Sequence, residues 1–83
     1  MNKILVKVYV PQLEKKYDIW IPINKTVYTI ISSITKGINS LNKVSLEEGY
    51  IMNLYNKANS EIYDLEKKII DTDIRNGTEL IMI

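Results

Sequence analysis

Tyr17-Asp18-Ile19-Trp20-Ile21-Pro22-Ile23-Asn24-Lys25-Thr26-Val27-Tyr28-Thr29-Ile30-Ile31-Ser32-Ser33-Ile34 carries two hydrophobic periods in succession. From Tyr17 to Ile23 every second residue is apolar. Tyr17, Ile19, Ile21 and Ile23 face one way, and Asp18, Trp20 and Pro22 face the other. A period of two predicts a strand. Pro22 cannot donate to a ladder, so it places this strand at an edge or gives it a bulge. From Val27 the period changes. Val27, Ile30, Ile31, Ile34, Ile38 and Leu41 fall at helical spacing, with Thr29, Ser32, Ser33 and Lys36 on the opposite side. Thr26 stands where an N-cap hydroxyl accepts an otherwise orphaned backbone N–H. So many β-branched residues lower helix propensity, and this helix therefore needs a sheet to pack on. Gly37 or the Asn39-Ser40 pair is the expected stop signal.

Upstream, Ile4, Val6, Val8 and Val10 alternate with Lys3, Leu5, Lys7 and Tyr9. This is a strand with one apolar face, ended by Pro11. Residues 11–16 read as a turn, so the first two strands make a hairpin. Downstream, Asn42 to Gly49 reads as a loop, with Ser45 and Glu48 at capping-box spacing for a single turn. A third strand is expected from Tyr50 to Tyr55, with Met52 and Leu54 in the core. Asn56 to Ser60 is turn-like, Ile62 to Leu65 is a minor strand, and Lys67 to Ile74 has room for one helical turn. Asn76-Gly77 marks a tight turn before a final strand, Leu80 to Ile83. One helix and an apolar sheet face call for a two-layer α+β domain. A right-handed crossover after the hairpin leads to a parallel partner, so the last strand should lie parallel to the first. That is the β-grasp arrangement, a single domain over residues 1–83.

Composition bounds the chemistry. The chain has 83 residues, 46% of them hydrophobic, and a formal net charge of +1. A nucleic-acid binder usually shows a basic stripe. Here Lys15-Lys16 and Lys67-Lys68 are balanced by Glu14, Asp64 and Glu66, which reads as solvated loop charge. Cysteine and histidine are both absent. That removes thiolate metal sites, disulfides and the commonest general base. Nothing supplies a nucleophile–base pair, so no enzyme activity and no cofactor are expected. The Asp71-Thr72-Asp73 string lacks the rest of a calcium loop and is explained by turn formation. No run is long enough to span a bilayer and no cleavage signal is visible, so a cytoplasmic location is expected.

The residues also resemble a known family. Thr26-Val27-Tyr28-Thr29-Ile30 with Ile34 resembles the start of the ubiquitin helix. Ile69-Ile70-Asp71-Thr72-Asp73-Ile74 and Asn76-Gly77-Thr78-Glu79-Leu80 resemble the ubiquitin-like approach to the last strand. Tyr17-Asp18-Ile19 followed by Pro22, and Ile74, Gly77, Thr78 and Leu80 at their spacing, resemble the YukD/EsaB family of small bacterial ubiquitin-like proteins. The resemblance spans nearly the whole chain, but its motifs are structural. It implies an accessory role in type VII protein secretion of Gram-positive bacteria, beside a membrane-bound ATPase, membrane scaffold proteins and small helical WXG-type substrates. It also implies a cytoplasmic protein that is not conjugated to targets. A membrane component of that machinery is the partner class it suggests.

Ubiquitin-type modifiers and sulfur carriers act through a flexible Gly-Gly tail. The sequence contains no Gly-Gly pair and ends at Ile83, which argues against both chemistries. The expected activity is noncovalent protein binding. Leu5 and Tyr9 share the solvent side of the first strand, and Trp20 lies on the matching side of the second. These three are the candidate protein-binding residues, since exposed aromatic patches often mark contacts. The competing reading folds Trp20 over a strand edge. The same patch would also suit a weak homodimer. Ubiquitin's recognition surface is an apolar patch on the open sheet face. The corresponding third-strand position here is near Asn53, between Met52 and Leu54, and a polar residue there implies that this surface is not reused in the same way. The alternative function is a general β-grasp interaction or regulatory module unrelated to secretion.

Overall fold

A computed structural model describes residues 2–42 and 52–83. Four strands and one helix follow in the order β1 (Lys3–Val10), β2 (Lys15–Pro22), α1 (Val27–Asn42), β3 (Leu54–Asn56) and β4 (Glu79–Met82). The sheet order is β2-β1-β4-β3. β1 is antiparallel to β2 and parallel to β4, and β3 is antiparallel to β4. The architecture is the α+β β-grasp that the change of hydrophobic period predicts.

The alternation places the core. Val6, Val8 and Val10 of β1, Ile21 of β2, Leu54 of β3 and Leu80 and Met82 of β4 are buried on one side of the sheet. Val27, Ile30, Ile31, Ile34 and Ile38 of α1 are buried in the same cluster, together with Met52, Ile69 and Ile74. Thr35 is the buried polar residue of the helix, and its hydroxyl donates to the Ile31 carbonyl at 2.8 Å.

Capping of α1 follows the sequence reading. Thr26 Oγ1 accepts from the Thr29 N–H at 3.2 Å. The first N–H groups of a helix lack intrahelical partners, and here a distant segment supplies them. The Val27 N–H donates to the Lys67 carbonyl at 2.8 Å and the Tyr28 N–H to the Leu65 carbonyl at 3.0 Å. The helix does not stop at Gly37 or Asn39-Ser40, as the stop signals suggest, but runs to Asn42. Burial of Ile38 one residue beyond the glycine outweighs the propensity cost of Gly37.

Two further expectations shift. The minor strand at Ile62 to Leu65 reduces to one bridge, Tyr55 with Ile62, and the helical turn in Lys67 to Ile74 is a short 3-10 turn at Ile69–Asp71. The expected loop from Asn42 to Gly49, its Ser45/Glu48 capping box and the strand start at Tyr50 lie outside the described residues, apart from Asn42 itself. β4 is entered through a clasp around Leu5. The Leu5 N–H donates to Asn76 Oδ1 at 2.8 Å, and the Gly77 N–H donates to the Leu5 carbonyl at 2.7 Å. Gly77 has φ +91, a backbone conformation that glycine adopts readily and residues with a Cβ adopt rarely.

Candidate functional site: the open sheet face

The helix covers one side of the sheet. The other side has no second layer among the described residues, and strand register arranges it in rows. In the first row Leu5 of β1 lies directly opposite Trp20 of β2. Trp20 is 57% exposed. It also borders a groove of about 290 Å³ between β2 and α1, so it serves both the open face and the strand edge.

The second row alternates in charge. Asp18 of β2 is opposite Lys7 of β1, and Lys7 is opposite Glu79 of β4. Lys57, just past β3, forms an ion pair with Glu79 at 3.8 Å. All four side chains are exposed, so each pair adds little stability. Their effect is to fix a pattern of alternating sign across the face.

The third row is apolar. Tyr9 of β1 is opposite Ile81 of β4, Ile81 is opposite Tyr55 of β3, and Tyr55 bridges to Ile62. Tyr9, Ile81 and Tyr55 are partly exposed, and Ile62 is 55% exposed. Large aromatic and aliphatic side chains in one line on an uncovered sheet suit a protein contact.

The three residues named from the sequence therefore do not form one patch. Leu5 and Trp20 meet, while Tyr9 is set apart by the Lys7–Asp18 pair and joins Ile81 and Tyr55 instead. Asn53 is not in that row. It exchanges two backbone hydrogen bonds with Ile83, at 2.7 and 3.0 Å, and Tyr55 is the β3 residue in that row. The sequence reading places Ile81 in the last strand and Tyr55 at the end of the third but names neither as a contact residue, although a signal exists. Each sits between residues assigned to the core or next to one, and alternation turns them outward.

Beside the row, Tyr63 organises a polar corner. Its hydroxyl donates to Asp73 Oδ1 at 2.6 Å and accepts from the Asn56 amide at 3.0 Å. Burial, reinforced by the hydrogen bond to Asp73, pushes the Tyr63 phenol up to about 12. Asp73 thus holds the Tyr63 hydroxyl, the Thr72 hydroxyl makes the turn between Asp71 and Asp73, and Asp64 serves a turn of its own. Asp64 Oδ1 accepts from the Glu66 N–H at 2.9 Å. Among the described residues no group of three or more His, Cys, Asp or Glu side chains is placed to hold a metal, and no helix is long and apolar enough to cross a membrane.

No protein-family model matches the chain, and no curated protein sequence matches it. Solved structures do. The ubiquitin-like domain of the Mycobacterium tuberculosis type VII secretion system protein ECCD1 is similar with TM-score 0.74 at 13% identity, covering 100% of this chain and 99% of that one. A chain of the MycP5-free ESX-5 inner membrane complex gives TM-score 0.71 at 12% identity, covering 100% of this chain and 21% of that one. A chain of the toluene 4-monooxygenase HD complex gives TM-score 0.78 at 8% identity, covering 96% and 95%. At these identities what the likeness establishes is the fold, and the chain is a ubiquitin-like β-grasp domain.

Proposed function

We propose that this protein is a non-conjugated ubiquitin-like adaptor of a type VII secretion system, acting in the cytoplasm by noncovalent binding to a component of the machinery and catalysing nothing. The observation that carries the reading is the apolar row Tyr9–Ile81–Tyr55–Ile62 on a sheet face that no second layer covers among the described residues. Removing such a row from water favours association by about 25 cal/mol per Å² before the costs of binding. The neighbouring row of alternating charge would set orientation more than affinity. Two supports point to secretion: the resemblance carried by Tyr17-Asp18-Ile19, Pro22 and the Ile74-to-Leu80 spacing, and the likeness to the ECCD1 domain. The same resemblance supports action without conjugation.

The general interaction module remains the second reading. The monooxygenase-complex chain, from a system whose name says nothing of secretion, is as similar in shape. Secretion of WXG-type proteins from the host separates the two. Deleting the gene should reduce export, and the wild-type gene should restore it. Ile81→Asp, which places a charge in the middle of the apolar row, should not restore it although the variant folds. Unchanged export in the deletion strain would remove the secretion reading and leave the general one.

A further inference from the structure

Among the described residues no further strand pairs with the outer side of β2. β2 is the outer strand beside β1, and the phase of its hydrogen bonds can be read. The Ile23 N–H donates to the Asn2 carbonyl at 2.8 Å, continuing the register in which Ile4 faces Ile21 and Val6 faces Ile19. Hydrogen-bonded and non-hydrogen-bonded pairs alternate along an antiparallel ladder. Residues 15, 17, 19 and 21 therefore turn their backbone groups toward β1. Lys16, Asp18 and Trp20 turn theirs outward, and Pro22 offers only a carbonyl. The opposite edge is different, because Tyr63 donates to the Leu54 carbonyl and Asn56 to the Glu61 carbonyl, which covers β3.

Exposed edges invite pairing, and charge and proline are the usual deterrents. Here the charges also select. A two-fold contact between copies is self-complementary, and across this edge it joins two β2 strands antiparallel, outward residue against outward residue. Centring it on residue 16 sets lysine against lysine, and centring it on residue 18 sets aspartate against aspartate. Like charges directly opposite are destabilising. Centring it on residue 19 sets Lys16 against a proline without a donor. Centring it on Tyr17 sets Lys16 against Asp18 of the second copy, and Asp18 against Lys16, twice by symmetry. Among the described residues neither side chain forms an ion pair within its own chain, although Asp18 lies across from Lys7.

We infer that the β2 edge is a self-association site at which two copies join their sheets antiparallel about Tyr17, matched by reciprocal Lys16–Asp18 pairs. This site is the edge, not the Leu5–Trp20 patch, and it stands whether or not the protein serves secretion. The groove beside it, lined by Ile30, Ile34 and Leu41, lies under the joined strands.

Sedimentation equilibrium of the purified chain tests the site. The mass should rise with concentration from 9.7 kDa toward twice that value, and added salt should weaken the dimer. Lys16→Glu and Asp18→Lys should each raise the dissociation constant about tenfold or more. The double variant, with the charges exchanged, should restore it. Both positions are exposed, and thermal melts of each variant verify folding. Amide exchange gives a second reading of the register: Lys16 and Asp18 should slow as concentration rises, while Ile19 and Ile21 stay constant. A chain that remains monomeric at millimolar concentration overturns the inference. So does a dimer indifferent to the exchanged charges, or association only with some other protein's extended segment.

Discussion

Tyr63 shows how much one phenol can couple. It ties β3, through Asn56, to the approach to β4, through Asp73. Its proton is held in the folded state, with the phenol raised from 10.0 to about 12 by burial first and the Asp73 hydrogen bond second. The sign follows from linkage. A folded value above the unfolded one gives stabilisation that is complete below the unfolded value and is lost as pH rises through the folded value. Wild-type stability should therefore fall across that alkaline window more steeply than that of Tyr63→Phe. At neutral pH the substitution should cost about 1 kcal/mol for the lost hydrogen bonds. Denaturant unfolding at a series of pH values, with the difference in phenolate absorbance between the two proteins, measures both effects. Parallel stability curves would show that Tyr63 titrates alike in both states.

At the scale of the elements, packing and propensity oppose each other in α1, and the structure says which prevails. Ile30 and Leu80 are buried against each other's layers, so Ile30→Ala or Leu80→Ala should each cost about 2–5 kcal/mol through lost transfer energy and residual cavity. Gly37 is the reverse case. An added Cβ there meets nothing within 4 Å, and alanine favours a helix interior over glycine by about 0.5–1 kcal/mol. Gly37→Ala should raise the melting temperature, and a lowered one would mean that the helix needs a break at that point. The elements were legible because their periods are local: Val6, Val8 and Val10 announce a strand, and Val27, Ile30, Ile31 and Ile34 a helix, without knowledge of the neighbours. The helix end was not, since it turns on the burial of Ile38. The rows of the open face were only half legible. Alternation turns Tyr9, Tyr55 and Ile81 outward, but placing them side by side requires the strand order and both registers, which are tertiary facts. The same gap hid the separation of Tyr9 from Leu5 and Trp20.

For the whole molecule, the buried core lies on the helix side and the open side carries exposed apolar area. Trp20→Ala and Ile81→Ser should therefore stay within about 0.5–1 kcal/mol of wild type in thermal unfolding, yet reduce export in the host. Leu80→Ala should reduce export only in proportion to the folded protein it leaves. If Trp20→Ala unfolds as readily as Leu80→Ala does, Trp20 belongs to the fold and not to the contact. The clasp around Leu5 bears on the lifetime of the molecule. Asn-Gly is the dipeptide most prone to spontaneous deamidation: the glycine nitrogen attacks the asparagine side-chain carbonyl, ammonia leaves, and water opens the resulting succinimide to aspartate or isoaspartate. In the folded chain Leu5 holds both reactants, the Asn76 carbonyl oxygen through its N–H and the Gly77 N–H through its carbonyl. Ageing at Asn76 must then pass through openings of the clasp, and its rate becomes a clock that reads local stability. Peptide mass mapping after storage should find Asn76 intact in the native protein, converted in denaturant, and converted at an intermediate rate in Leu80→Ala. Because isoaspartate lengthens the main chain by one carbon just ahead of β4, each molecule that opens to that product should lose the register on which the rows of the open face depend.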